Sequence, residues 1–304
     1  MTNVLAGDIG GTHTRLAVYN LEEKKFIIPK KVFSSKDHNS LEEIVEIFIK
    51  NLSMKIELAC FAIAGPIEKN NCKATNLAWN VDSKNLKNII KCEKVFLIND
   101  IIAKAYGVLE LQEKDFITIN KGINQIGHKA IIAVGTGLGE AGICFDGKKH
   151  IPMESEGGHI NFAPRNEMEF NLLSYLQKKF MHVSFERILS GPGIYTIYKF
   201  LIDSSYYKKS NFVEEKFLNN DPSKVIVESR EKDAACKKTV EMFLSLYGAK
   251  AGDLALQYFA TGGVYIAGGI AQSLTCLLKS KLFLDSYHTK GRFSDFVKKI
   301  PLRI

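Results

Sequence analysis

Two stretches of this chain carry the same plan: an apolar strand, a glycine-rich turn with one threonine, and an apolar strand running back. In the first, Val4-Leu5-Ala6 leads into Gly7-Asp8-Ile9-Gly10-Gly11-Thr12, and residues 15–19 return. In the second, residues 130–134 lead into Gly135-Thr136-Gly137-Leu138-Gly139, and residues 141–145 return. The two lie about 125 residues apart, too far for a solenoid period, so the echo is on the scale of a domain. A chain of 304 residues with this pattern is constrained to two α/β bodies, each built on its own hairpin.

The remaining periodicities fit that plan. Apolar residues at 41, 44, 45, 48 and 49 have helical spacing. Apolar runs at 58–64, ended by Gly65-Pro66, and at 94–98, ended by Asn99-Asp100, predict strands, and a further short strand is predicted at 25–28. Residues 101–109, 170–179, 193–202 and 233–258 predict helices, 204–221 a loop-rich connection, and 264–267 a buried strand before Gly268-Gly269. Strands alternating with helices argue for α/β sheets. The expected division is a small α/β domain over 1–110 and a large α/β domain over 111–304.

Composition removes several classes. The net charge of +8 is spread among apolar and acidic residues, with no zinc-finger, basic-zipper or RNA-binding signature, so no nucleic-acid partner is expected. None of the six cysteines forms a C-x-x-C pair, and the N-terminus lacks the pattern of a signal peptide, which together point to a reducing, cytoplasmic setting. Residues 254–278 carry no charge, but two Gly-Gly pairs interrupt them, so helix, turn, strand, turn, helix is expected there and no membrane span. There is no G-x-x-x-x-G-K-[ST]. Gly137-Leu138-Gly139-Glu140-Ala141-Gly142 matches G-x-G-x-x-G, but Ile143-Cys144-Phe145 after it reads as strand where a dinucleotide fold needs a helix.

A turn that holds phosphate needs inward backbone N–H groups and no Cβ in the way, which glycine supplies, while threonine adds a hydroxyl. Both hairpins fit, although each alone is also an ordinary hairpin turn. A carboxylate at Asp8 beside bound phosphate calls for a cation, and Mg²⁺ held through water fits; the plainer alternative is an Asp bonding its own turn. Asp100 is a helix N-cap or a base at the carboxyl end of a strand. Glu156 and His159, flanking Gly157-Gly158, suit hydrogen bonds to a polyhydroxylated ligand better than a metal. Glu186 before a Gly-Pro-Gly turn is equally readable as a solvated charge.

Taken in order, Gly7–Thr12, Phe61-Ala62-Ile63-Ala64-Gly65-Pro66, Leu97-Ile98-Asn99-Asp100, Gly135–Gly139, Ser155-Glu156-Gly157-Gly158-His159, Glu186-Arg187-Ile188-Leu189-Ser190-Gly191 and Tyr265-Ile266-Ala267-Gly268-Gly269-Ile270 make the sequence resemble the bacterial glucokinase family of the actin-like ATPase and hexokinase superfamily. The resemblance implies a two-lobed actin-like ATPase (ribonuclease-H-like) α/β fold with an interdomain cleft. It implies Mg-ATP-dependent phosphorylation of glucose at the 6-hydroxyl, with Asp100 as general base. Asn76, Asn99, Asp100, Glu156, His159 and Glu186 would bind the sugar. Gly7, Asp8, Ile9, Gly10, Gly11 and Thr12, with Gly135, Thr136 and Gly137, would bind phosphate, and Gly268 and Gly269 adenosine. A homodimer is also implied. Family members usually continue past the 298–301 region with a loop and a returning terminal helix, so a sequence ending at Ile304 implies weaker lobe coupling. A kinase for another hexose, an actin-like ATPase, or a sugar-binding regulator with impaired catalysis are the alternatives; the last two would show ATP turnover without sugar, or sugar binding without phosphorylation.

Overall fold

A computed structural model describes residues 2–304. The chain divides into two compact units, Met1–Tyr106 and Gly107–Ile304.

The first unit is built on a five-stranded sheet of β1 (Asn3–Ile9), β2 (His13–Asn20), β3 (Lys25–Ser34), β4 (Leu58–Ile63) and a strand at Lys94–Asn99, with the first three antiparallel and β4 and the last parallel to β1. Between β4 and that last strand, β5 (Ile67–Glu68), β6 (Asn71–Lys73) and β7 (Asn80–Asp82) form a small antiparallel sheet, so Lys94–Asn99 is β8 and the large sheet reads β3-β2-β1-β4-β8. Helix α1 (Leu41–Ile49) has the bounds its spacing predicts: Leu41, Ile44, Val45 and Phe48 are buried, and the Ser40 hydroxyl accepts from the Glu43 N–H at its start. Helix α2 (Ser83–Ile90) is capped by Asp82 and ends at Lys91 in the left-handed region. Leu5, Leu16, Ile44, Phe61 and Leu97 lie in the core of this unit. The division between units falls within α3 (Asp100–Glu110).

The second unit repeats the scheme. β9 (Thr118–Asn120), β10 (Lys129–Val134), β11 (Leu138–Phe145), β12 (His150–Met153), β13 (Val264–Ala267) and β14 (Leu302–Arg303) form a sheet ordered β12-β11-β10-β13-β14-β9. β10, β11 and β12 are antiparallel, and β13 and β14 run parallel to β10. Position for position, β10-β11-β12 and β13-β14 match β1-β2-β3 and β4-β8, so the sequence echo is also an echo of topology.

Helices α4 (Glu167–Gln177), α5 (Gly191–Asp203), α6 (Asn211–Phe217), α7 (Pro222–Ser229), α8 (Ala234–Gln257), α9 (Gly269–Ser273), α10 (Thr275–Leu278), α11 (Lys281–His288) and α12 (Ser294–Lys298) complete this unit. Helix α8 is buried on nearly every face, from Ala235 to Ala255. The segment read as loop-rich in fact holds α6, which buries Val213, and the Pro222 start of α7 follows directly under an Asp221 cap. The uncharged stretch at 254–278 is the end of α8, a turn, β13, α9 and α10. Among the described residues no helix is long and apolar enough to cross a membrane.

Candidate active site

In the first unit the parallel ladder sets Ile9, Ile63 and Asn99 side by side. The carboxyl ends of β1, β4 and β8 therefore finish together, where open α/β sheets place their ligands. Three features follow these ends: the Gly10–Thr12 turn, the Gly65-Pro66 turn, and Asn99-Asp100. The Ser35 hydroxyl donates to the Gly10 carbonyl at 2.8 Å, and the Ser35 N–H donates to the Thr12 carbonyl at 2.9 Å, bracing the turn from outside. The Thr12 side chain stays exposed. A Cβ on Gly11 would lie 2.8 Å from Asn76 Cβ, so the missing side chain is what lets Asn76 stand against this turn.

The first glycine-rich segment is shorter as a turn than its sequence suggests. Gly7, Asp8 and Ile9 belong to β1, because β2 pairs with them as far as Thr14 opposite Ile9. Ile9 is buried in the core, and a Cβ on Gly7 would press into the Phe61 ring at 2.4 Å. Asp8 accordingly does not sit in the turn or bond its backbone. It faces Arg15 across the ladder, with a 3.0 Å ion pair. The second segment is trimmed likewise: Leu138 and Gly139 already pair in β11, leaving Gly135–Gly137 as the turn, closed by the Gly135 N–H on the Gly137 carbonyl at 2.9 Å. That β11 continues as strand through Phe145 agrees with setting aside a dinucleotide fold.

Asn99 spends both polar ends on the strand-to-helix junction. Its amide donates to the Gly65 carbonyl at 3.0 Å and its oxygen accepts from the Ile101 N–H at 2.9 Å. Asn99 thus does the capping that Asp100 could have done. Asp100, freed of that task, meets Lys104 one helical turn on, at 2.5 Å. The i,i+4 spacing of Lys104 from Asp100 is the sequence signal for this pair.

In the second unit, Glu156, His159 and Glu186 come together. His159 Nε2 lies 3.9 Å from a Glu156 oxygen and 4.0 Å from a Glu186 oxygen. The Gly157-Gly158 pair lies in a single 3₁₀ turn at Gly157–His159. Its glycines are demanded by close approach: a Cβ on Gly158 would reach the Leu138 carbonyl at 2.0 Å, and one on Gly157 the Glu140 carboxylate at 2.4 Å. Glu186 is no solvated surface charge. One of its oxygens accepts the Leu138 N–H at 3.0 Å, and a Cβ on Gly137 would stand 2.6 Å from that oxygen. A carboxylate of the polar cluster is therefore bonded to the phosphate-type hairpin itself. His182, which no sequence pattern singled out, bonds the His159 carbonyl through Nε2 at 2.7 Å. A cavity of about 310 Å³ opens beside His159, His182 and Glu186. The Gly191 N–H donates to the Gly135 carbonyl at 2.8 Å, tying α5 to the same hairpin. Gly268, with φ +95°, turns the chain from β13 into α9 against Val134.

Among the described residues no group of three or more His, Cys, Asp or Glu is arranged to enclose a metal ion. Asp8 is an exposed carboxylate with one oxygen engaged by Arg15, which suits a cation held mainly by phosphate and water with one carboxylate near it.

The family model described as Glucokinase matches residues 5–304. A glucokinase of Nostoc punctiforme is 38% identical, covering 100% of this chain and 95% of the relative. A glucokinase of Salmonella newport is 34% identical over 98% of this chain and 91% of the relative. The crystal structure of a glucokinase from an Antarctic psychrotroph superimposes with a TM-score of 0.82 at 28% identity, covering 100% of this chain and 94% of that one. The chain belongs to the glucokinase family: it is an ATP-dependent hexose kinase with the two-lobed α/β actin-like ATPase fold.

Proposed function

We propose that this chain transfers the γ-phosphoryl group of Mg-ATP to the 6-hydroxyl of glucose. The observation that carries the reading is the bond from Glu186 to the Leu138 N–H, which couples a polyol-reading cluster to a phosphate-type turn within one unit. Glu156, His159 and Glu186 hold ring hydroxyls by hydrogen bonds, and Asn99 and Asn76 are further sugar ligands. A site that bonds each hydroxyl disfavours a sugar that lacks or inverts one, because buried polar groups are then left unpaired.

Asp100 accepts the proton as the 6-oxygen forms its bond to the γ-phosphorus, while the bond to the bridging oxygen breaks and ADP leaves. Lys104 holds the Asp100 carboxylate in place until the sugar hydroxyl arrives. The Gly10–Thr12 and Gly135–Gly137 turns present N–H groups to the phosphates, and Gly268-Gly269 meets the adenosine. Mg²⁺, near Asp8 and Thr12, would neutralise phosphate charge. All six cysteines are free thiols, which supports a cytoplasmic location. A homodimer completes the reading, checked by light scattering.

A panel of hexoses in a coupled ADP assay tests the substrate. Glucose should give the highest kcat/KM. Preference for another hexose would reassign the sugar, and ATP turnover indifferent to sugar would remove the kinase reading.

A further inference from the structure

Behind the polar cluster lies an ion pair that the reaction does not use. Glu140 and Lys250 are each 1% exposed and stand 3.1 Å apart in the core of the second unit. Burial pushes the Glu140 carboxyl up, with Lys250 opposing. Neither Glu140 oxygen has a well-directed hydrogen bond among the described residues. Replacing a buried pair by apolar residues of like volume is often neutral or stabilising, so core stability alone does not account for these two charges.

Their surroundings do. The Glu140 carboxylate lies against Gly157, between Glu156 and His159. Lys250 Nζ sits over the Phe185 ring, 4.6 Å from its centroid, and Phe185 precedes Glu186. The pair thus touches both short segments that carry the sugar-reading groups. Those segments, Gly157–His159 and Phe185–Arg187, are single 3₁₀ turns joined by one antiparallel bridge, Asn161 opposite Ser184, and not by an extended ladder. The neighbouring hairpin differs, because Glu140 stands opposite Ile132 in a regular antiparallel ladder that runs up to the Gly135–Gly137 turn.

We propose that Glu140 and Lys250 are positioning residues that set the placement of Glu156, His159 and Glu186 and so the affinity for sugar. The inference rests on the sugar-kinase reading above, which wild-type turnover of glucose checks separately. Removing one charge strands the other and threatens folding, so the test is the double variant Glu140→Leu/Lys250→Met in the full chain. The expected result is a melting temperature at or above the wild-type value, a KM for glucose raised at least about tenfold, and a KM for Mg-ATP within about twofold of wild type. A KM for glucose at the wild-type value in the folded double variant would overturn the proposal. So would failure of the double variant to fold, since the pair would then be carrying the core, and so would an equal rise in both KM values.

Discussion

Single residues here serve two masters, and Glu186 shows it best. Its carboxylate accepts the Leu138 N–H while standing 4.0 Å from His159. Glu186→Ala removes a charged hydrogen-bonding group from both, and such bonds contribute about 1.5–3 kcal/mol. The KM for glucose should rise about 10- to 100-fold, and the KM for Mg-ATP should rise several-fold with it; initial rates over a grid of both substrates measure this, and an unmoved KM for Mg-ATP would show that the bond to the hairpin does not matter to it. His288 offers a test of folding. Its Nε2 is buried without a hydrogen-bond partner among the described residues, and burial, followed by the nearby Lys298 charge, lowers its pKa below the ordinary 6.5. The unfolded chain therefore takes up this proton first as pH falls, so stability is fully present above the unfolded value and is lost on acidification. The melting temperature should decline from about pH 7.5 to 5.5, and less steeply in His288→Leu; parallel slopes would discard the assignment. At this scale sequence reading was uneven. The carboxylates and His159 could be named from residue type and glycine context. That Asp8 pairs with Arg15 and not with its own turn depends on a cross-strand register, and the Glu140–Lys250 pair joins residues far apart in the chain, so neither could be read locally.

Elements were more legible than residues wherever periodicity and punctuation agreed. Helix α1 and strand β13 have their predicted bounds, because apolar spacing in one and flanking glycines in the other mark both ends. Strand β3 runs on to Ser34, past its predicted end, because β2 supplies a ladder partner that its own polar, Lys-rich sequence does not announce. Helix α6 was hidden by mixed charge, since its single buried Val213 gives no stripe to detect. The turns at element ends are the more demanding places. Gly268 combines φ +95° with a position where a Cβ would meet the Val134 carbonyl at 2.4 Å. Gly268→Ala should cost about 2 kcal/mol or more through backbone strain and steric conflict, lowering the melting temperature by roughly 4–8 °C. Calorimetric melting checks it, and an unchanged midpoint would mean the β13–α9 turn relaxes freely.

At the scale of the whole molecule, one topological scheme is used twice. A hairpin, a third antiparallel strand and two parallel strands recur in both sheets, with β9 added at the edge of the second, and each hairpin offers a glycine-threonine turn at the carboxyl end of its first strand. The sequence echo predicted this duplication because hairpin, turn and threonine recur together. What the echo could not supply is the difference between units: Asp100 beside Lys104 in one, and Glu156, His159 and Glu186 gathered in the other. We propose that phosphoryl transfer to glucose uses Asp100 as its base. The direct measurement is to follow protein, Mg-ATP and glucose by phosphorus and carbon NMR, for the wild type and for Asp100→Asn. The wild type should give glucose 6-phosphate and ADP in equal amounts, and the variant a kcat lower by about 10²–10⁴-fold with little change in the KM for glucose. Phosphate on another hydroxyl, ADP without phosphorylated sugar, or a near-normal kcat in Asp100→Asn would contradict it.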